Sequence, residues 1–245
     1  MSTPPATADR RSGLVNVFDI IVAPGAAFER LRIAPSWGWA FLVASLLGIA
    51  GFLLMEPAQL HALDKTGPAM YAAMPQIAKL PPDKQAAMIE QNLKFAHIGI
   101  QLGPLFVPVI FLLGGLLSSI FMLIGNAIGG GDGSFKKFFA LSMTLNVIGG
   151  LGLLLTGIIV MLRGADNFET QAAIQRALPS LAILAPGAPL KLAAFLGSLN
   201  IAALWSTALS ALGMIAVARI KPPVAWTVAI IVLLGSALLA ASFAQ

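Results

Sequence analysis

The side chains able to do chemistry in this chain are few. There are two histidines, His61 and His97, ten acidic residues and no cysteine. A metal site needs three or four converging donors. Two histidines with scattered carboxylates do not form that pattern, and no metal or cofactor site is expected. The turn Gly129-Gly130-Gly131-Asp132-Gly133-Ser134-Phe135-Lys136-Lys137 has the glycine density of a phosphate loop. Such a loop places Gly-Lys-Ser/Thr after a strand, with four residues between its glycines. Here Lys136 follows Phe135, and apolar helical runs flank the turn. It reads as a flexible connection with two basic anchors for lipid headgroups, open to anionic lipid or a cytoplasmic partner. Polar residues inside apolar runs are Ser119, Ser142, Thr144, Asn146, Asn200, Ser206, Thr207 and Ser210, with Gln101 at an edge. No carboxylate or histidine lies beside these serines in sequence, so no nucleophile–base pair is visible. Catalytic residues are therefore not assigned. Asn146 and Asn200 are amides within helix bundles, suited to clipping helices together by hydrogen bonds or to lining a polar pore.

The elements that hold these residues are apolar. Hydrophobic residues make up 58% of the 245 positions and charged residues only 10%, against about 25% charged in soluble domains. The bilayer core is roughly 30 Å thick and takes about 20 apolar helical residues. Runs at about 37–55, 102–128, 138–162, 192–218 and 224–243 meet that length. The expectation is an all-α integral membrane bundle of five transmembrane helices, preceded by short amphipathic interfacial helices over 14–33. Residues 1–13, rich in Ser, Thr, Pro and Ala, are expected to form a disordered tail. No cleaved leader is expected, since the first run starts near Trp37. Pro24 suits the first turn of a second short helix. Pro35 ends that helix, and Trp37 with Trp39 supplies an interfacial belt.

Two hydrophilic connections are expected, 56–97 and 163–191. Prolines 57, 68, 75, 81 and 82 predict only short helical pieces in the first half of the former. Asp83 is expected to cap a helix that runs on into the second span. Leu178–Pro189 is apolar but short and proline-broken, so it reads as surface-lying or re-entrant. Glycine and serine at four-residue spacing in spans two and three predict close helix packing. No acidic or basic residue lies well inside a span, whereas proton relays and ion-coupled transporters usually bury such groups.

The net charge of +5 is scattered at run ends, which indicates topology rather than nucleic-acid binding. Arg10, Arg11, Arg30, Arg32, Lys136, Lys137, Arg219 and Lys221 fall on one side in short segments. That density predicts an inner-membrane protein with a cytoplasmic N-terminus and a periplasmic or extracellular C-terminus.

Four stretches resemble a known family. They are Pro24-Gly25-Ala26-Ala27-Phe28-Glu29-Arg30-Leu31 with Pro35-Ser36-Trp37; Gly130–Phe139, including Gly133, Ser134, Phe135 and Lys136; Leu199-Asn200-Ile201 with Leu204-Trp205 and Gly213; and the basic turn Arg219–Pro223. Together they resemble the bacterial branch of the Yip family, membrane proteins named for interaction with Ypt/Rab GTPases in eukaryotes. Span three departs from the pattern, with Leu141-Ser142 and Asn146-Val147 where relatives often carry Tyr-Ser and then proline. The resemblance implies five spans, a cytoplasmic N-terminus, a periplasmic C-terminus and no catalytic residues. For eukaryotic members it implies membrane traffic through GTPase binding and association with related membrane proteins, and the GTPase role is not carried over to this chain. The reading is a non-enzymatic membrane protein that organises the membrane or partner proteins through helix packing. Its partners are the lipid bilayer and either further copies of itself or other membrane proteins. The alternatives are a channel or transporter for a small solute or ion, and a lipid-modifying enzyme.

Overall fold

The computed structural model describes residues 12–243; the expected tail lies almost wholly outside them. Five of its helices are long and apolar enough to cross a membrane. The chain opens with a helical hairpin, α1 (Ser12–Val22) and α2 (Pro24–Ile33), so the first helix begins two residues before the expected start. The long helices are α3 (Gly38–Ala72), α5 (Pro82–Gly129), α6 (Phe135–Arg163), α9 (Ile201–Ala218) and α10 (Pro222–Phe243). Short helices α4 (Pro75–Ala78), α7 (Gln171–Gln175) and α8 (Leu190–Ser198) lie in the connections. The hairpin and the two basic turns share one end of the bundle, here the proximal end; α7 and α8 lie at the distal end.

The first connection differs from the expected short pieces. α3 continues unbroken through Pro57 and Pro68 to Ala72. Both prolines sit on the exposed side of the helix, where a carbonyl deprived of its N–H partner is least confined. The opposite face carries Met55, Ala58 and Ala62, buried against Val160, Phe168 and Ile174. Packing on one face thus holds a helix that propensity alone would break. α5 spans 48 residues, from Pro82 through the expected second span. Asp83 lies in its first turn but does not cap it; the N-cap position is Pro81. The distal extensions of α3 and α5 are clasped by His97 Nε2 and Asp64 Oδ1 at 2.9 Å.

The centre of the bundle is α6, which packs against α3, α5 and α9. It crosses α3 at very short range. A Cβ on Gly150 would stand 2.7 Å from the Ala44 carbonyl oxygen, and one on Gly157 2.5 Å from that of Gly51. Only glycine allows that approach, the small-residue packing expected of span three.

The fourth run, expected as one span over 192–218, is two helices broken at Leu199-Asn200. The cause is a distant segment. Pro179 accepts from the Ile201 N–H at 3.2 Å, and Leu181 donates to the Leu199 carbonyl at 3.3 Å. Ser180 and Asn200 form an isolated antiparallel bridge. The break therefore leaves these backbone groups paired, as a site beside lipid requires. Leu178–Pro189 is docked on this break and includes a 3₁₀ turn at Leu181–Leu184.

Candidate functional site

The proximal end is built from three pieces of sequence. The α1–α2 hairpin is held internally by a polar cluster. Arg30 donates from Nε to Asn16 Oδ1 at 2.6 Å and pairs with Asp19. Arg32 pairs with Glu29 on the same helix, and that hydrogen bond raises the guanidinium pKa above its ordinary value. Pro24 occupies the first turn of α2. The inner face, Val17, Ile20, Ala27, Phe28 and Leu31, is buried in the main core with Phe138, Leu141 and Met214. Phe28 and Leu141 both close on Gly213, where a Cβ would stand 3.2 Å from Phe28 Cε1 and 2.6 Å from Leu141 Cδ1. Three of the sequence-level candidates, Phe28, Leu31 and Gly213, thus serve one docking surface. The outer face is apolar as well: Leu14, Phe18, Ile21, Val22 and Ile33 are exposed, Phe18 by 66%. The hairpin is packed on its inner face and apolar on its outer one, with Arg30 folded back onto α1 rather than forming an opposite basic face.

The glycine turn is braced, not loose. Gly130 ends α5 in the left-handed region, with φ 66°. Asn126 Oδ1 accepts from the Gly133 N–H at 2.9 Å, and the Asn126 carbonyl from Gly131 at 3.1 Å. Ser134 caps α6 by accepting from the Lys137 N–H at 3.4 Å. The Asp132 N–H donates to the Ala218 carbonyl at 2.8 Å, joining this turn to the one after α9. The Asp132 carboxylate faces Lys137 Nζ at 3.7 Å and Arg219 Nε at 3.9 Å. Arg219 itself adopts φ 55°, strained for a residue with a side chain. Lys136 is exposed. Asn126 was not singled out in the sequence; an Asn three residues before a glycine run is the signal that marks it. Trp37 packs edge-on to Phe139 at 5.3 Å, and Phe135 stacks on Phe139 at 5.9 Å. Pro35 lies in the short link between α2 and α3.

The other candidates stand apart. Trp205 is 46% exposed on α9. Asn200 caps α9, accepting from the Ala203 N–H at 3.0 Å, so it does not clip two helices. Asn146 does: its Nδ2 donates to the Phe111 carbonyl on α5 at 2.9 Å. Asn146 also borders a cavity of about 190 Å³ between α5, α6, α9 and α10, with Ser118, Ser142, Ser206, Thr207 and Ser210. A second cavity of about 370 Å³ lies toward the distal end, with Gln59, Thr156, Gln171, Gln175, Ser198 and Asn200. Among the described residues no group of three His, Cys, Asp or Glu gathers at a metal-binding distance.

The Yip1 domain model matches residues 18–242, which takes in the second half of α1, all of α2 and the five long helices. The chain belongs to the Yip1 domain family. This Yip1 domain is 25% identical over 218 residues to "Membrane protein YknW" of Bacillus subtilis strain 168. The match covers 88% of this chain and 84% of the relative. No solved structure matches. The family match joins the braced turns, the Phe28–Gly213 contact and the Asn200 break in one domain, in a protein whose apolar helices require a lipid bilayer.

Proposed function

We propose that this Yip1 domain is a non-enzymatic scaffold of the inner membrane that gathers partner membrane proteins. The carrying observation is the α1–α2 hairpin, pinned to the bundle by Phe28 and Leu31 while Leu14, Phe18, Ile21 and Val22 face outward. A short helix with apolar residues on both faces is stable in place only when lipid or protein covers the outer one. The inner face is rigidly seated, so the outer face presents a fixed surface beside the membrane. Exposed apolar positions on the long helices, such as Trp205, Leu105 and Ile110, supply further surface for helix–helix association. The proximal end carries Arg32, Lys136, Arg219 and Lys221 on short segments, which supports a cytoplasmic location for it and an opposite location for the C-terminus.

Affinity capture from native membranes tests the scaffold. The intact protein is expected to retain the same membrane protein, or a second copy of itself, in repeated preparations. Phe18→Ser with Val22→Ser is expected to lose it while remaining folded. A monomer with no reproducible companion would sink the reading. A second reading, a path for a small neutral solute, is favoured by the serine-lined cavity beside Asn146.

A further inference from the structure

The cavity beside Asn146 lies among four helices that contact one another in turn. α5 packs on α6, α6 on α9, α9 on α10, and α10 on α5. Asn146 lies 11 residues into α6, about 16 Å from its proximal start at about 1.5 Å per residue, near the middle of a roughly 30 Å core. The volume of about 190 Å³ holds about six waters at roughly 30 Å³ each.

Its polar groups are incompletely paired. Asn146 uses Nδ2 on the Phe111 carbonyl, and its Oδ1 meets no protein donor among the described residues. Thr207 is satisfied by the Ala203 carbonyl at 2.8 Å, but Ser118, Ser206 and Ser210 have no hydrogen bond within those residues. Ser118, Ser206 and Ser210 are partly accessible from the cavity, so the site favours an occupant that bonds their hydroxyls. The lining carries no charged side chain. An ion entering would lose its hydration without a counter-charge.

The cavity is closed proximally and approached distally. At the proximal side α10 presses on α5, where a Cβ on Gly125 would stand 2.6 Å from Val228 Cγ2, and one on Gly129 3.3 Å from Val224 Cγ1. On the distal side the second cavity touches three of the same helices, at Leu153 on α6, Asn200 at the head of α9 and Ala240 on α10. Its polar lining, Gln59, Thr156, Gln171, Gln175, Ser198 and Asn200, is also uncharged.

We infer that the mid-membrane cavity is a binding site for a small neutral polyol, reached from the distal end through the glutamine-lined cavity. Hydroxyl groups both donate and accept, so the serine side chains and Asn146 Oδ1 match adjacent hydroxyls of such a molecule.

The chain has no cysteine, so single thiols test the inference in the full-length protein in liposomes. Ser206→Cys lies on the cavity, Leu204→Cys on the outer surface of α9 and Lys84→Cys on the distal extension. The thiolate is the reacting form and needs water, so Ser206→Cys should react with methyl methanethiosulfonate at least about tenfold faster than Leu204→Cys. Glycerol should slow the Ser206→Cys reaction and leave Lys84→Cys unchanged. Ser210→Cys repeats the test if Ser206→Cys does not fold. A reaction as slow as that of Leu204→Cys overturns the hydrated site. Equal slowing of cavity and control thiols by glycerol, or none at either, overturns polyol binding.

Discussion

Asn146 on α6 donates its side-chain amide to the backbone carbonyl of Phe111 on α5 at 2.9 Å. The bond joins two membrane-crossing helices near mid-depth, at the border of the serine-lined cavity. Hydrogen bonds between helices in membranes are worth about 0.6–2 kcal/mol. Asn146→Leu should therefore lower the protein's unfolding free energy by about that amount, measured in detergent or bicelles. Asn200→Leu removes a cap rather than a clip, and caps contribute about 1 kcal/mol. Its expected effect is local, seen as faster hydrogen exchange at Ile201–Ala203.

Gly213 is the point where the hairpin meets the bundle. Its missing side chain leaves room for Phe28 and Leu141. Gly213→Leu should displace the hairpin and open α2 to protease at Arg30 and Arg32. Phe28→Ala should loosen the same contact through the lost aromatic volume, about 3–5 kcal/mol for a buried phenylalanine. Limited proteolysis followed by mass spectrometry reads both.

The braced proximal turns separate a backbone effect from a charge effect. Asp132→Ala removes carboxylate contacts that are partly exposed, so its cost should be about 1 kcal/mol or less and should shrink with salt. It keeps the Asp132 N–H bond to the Ala218 carbonyl. Gly131→Val should disrupt more, because a Cβ there would stand 2.5 Å from that same carbonyl oxygen. Trypsin cleavage after Lys136 or Lys137 should be fast in Gly131→Val and close to wild type in Asp132→Ala.

The long helices were legible because apolar run length and the near absence of internal charge specify crossing helices without reference to the rest of the chain. That α6 packs closely was legible from its glycines; that its partner is α3 was not. What escaped were features made by distant partners. Pro57 and Pro68 read as breakers, yet Ala58 and Ala62 packed on Val160 and Phe168 carry the helix past them. The run 192–218 read as one span, yet Pro179 and Leu181 supply the hydrogen bonds that let it break at Asn200. The glycine turn read as flexible because the brace from Asn126 and Ala218 spans separate helices. Among the candidates, Phe28 and Gly213 share one contact and Leu31 is buried in the same core, whereas Asn146, Asn200 and Trp205 lie in three different settings.

The scaffold reading depends on what covers the outer face of α1. A photo-crosslinking amino acid at Phe18, compared with one at Trp205 and read in native membranes, tests this most directly. The account expects Phe18 to yield a discrete protein adduct, either a partner or a second copy of this chain, that persists when the detergent or lipid is varied. Lipid adducts alone at Phe18, with no protein band, would contradict it.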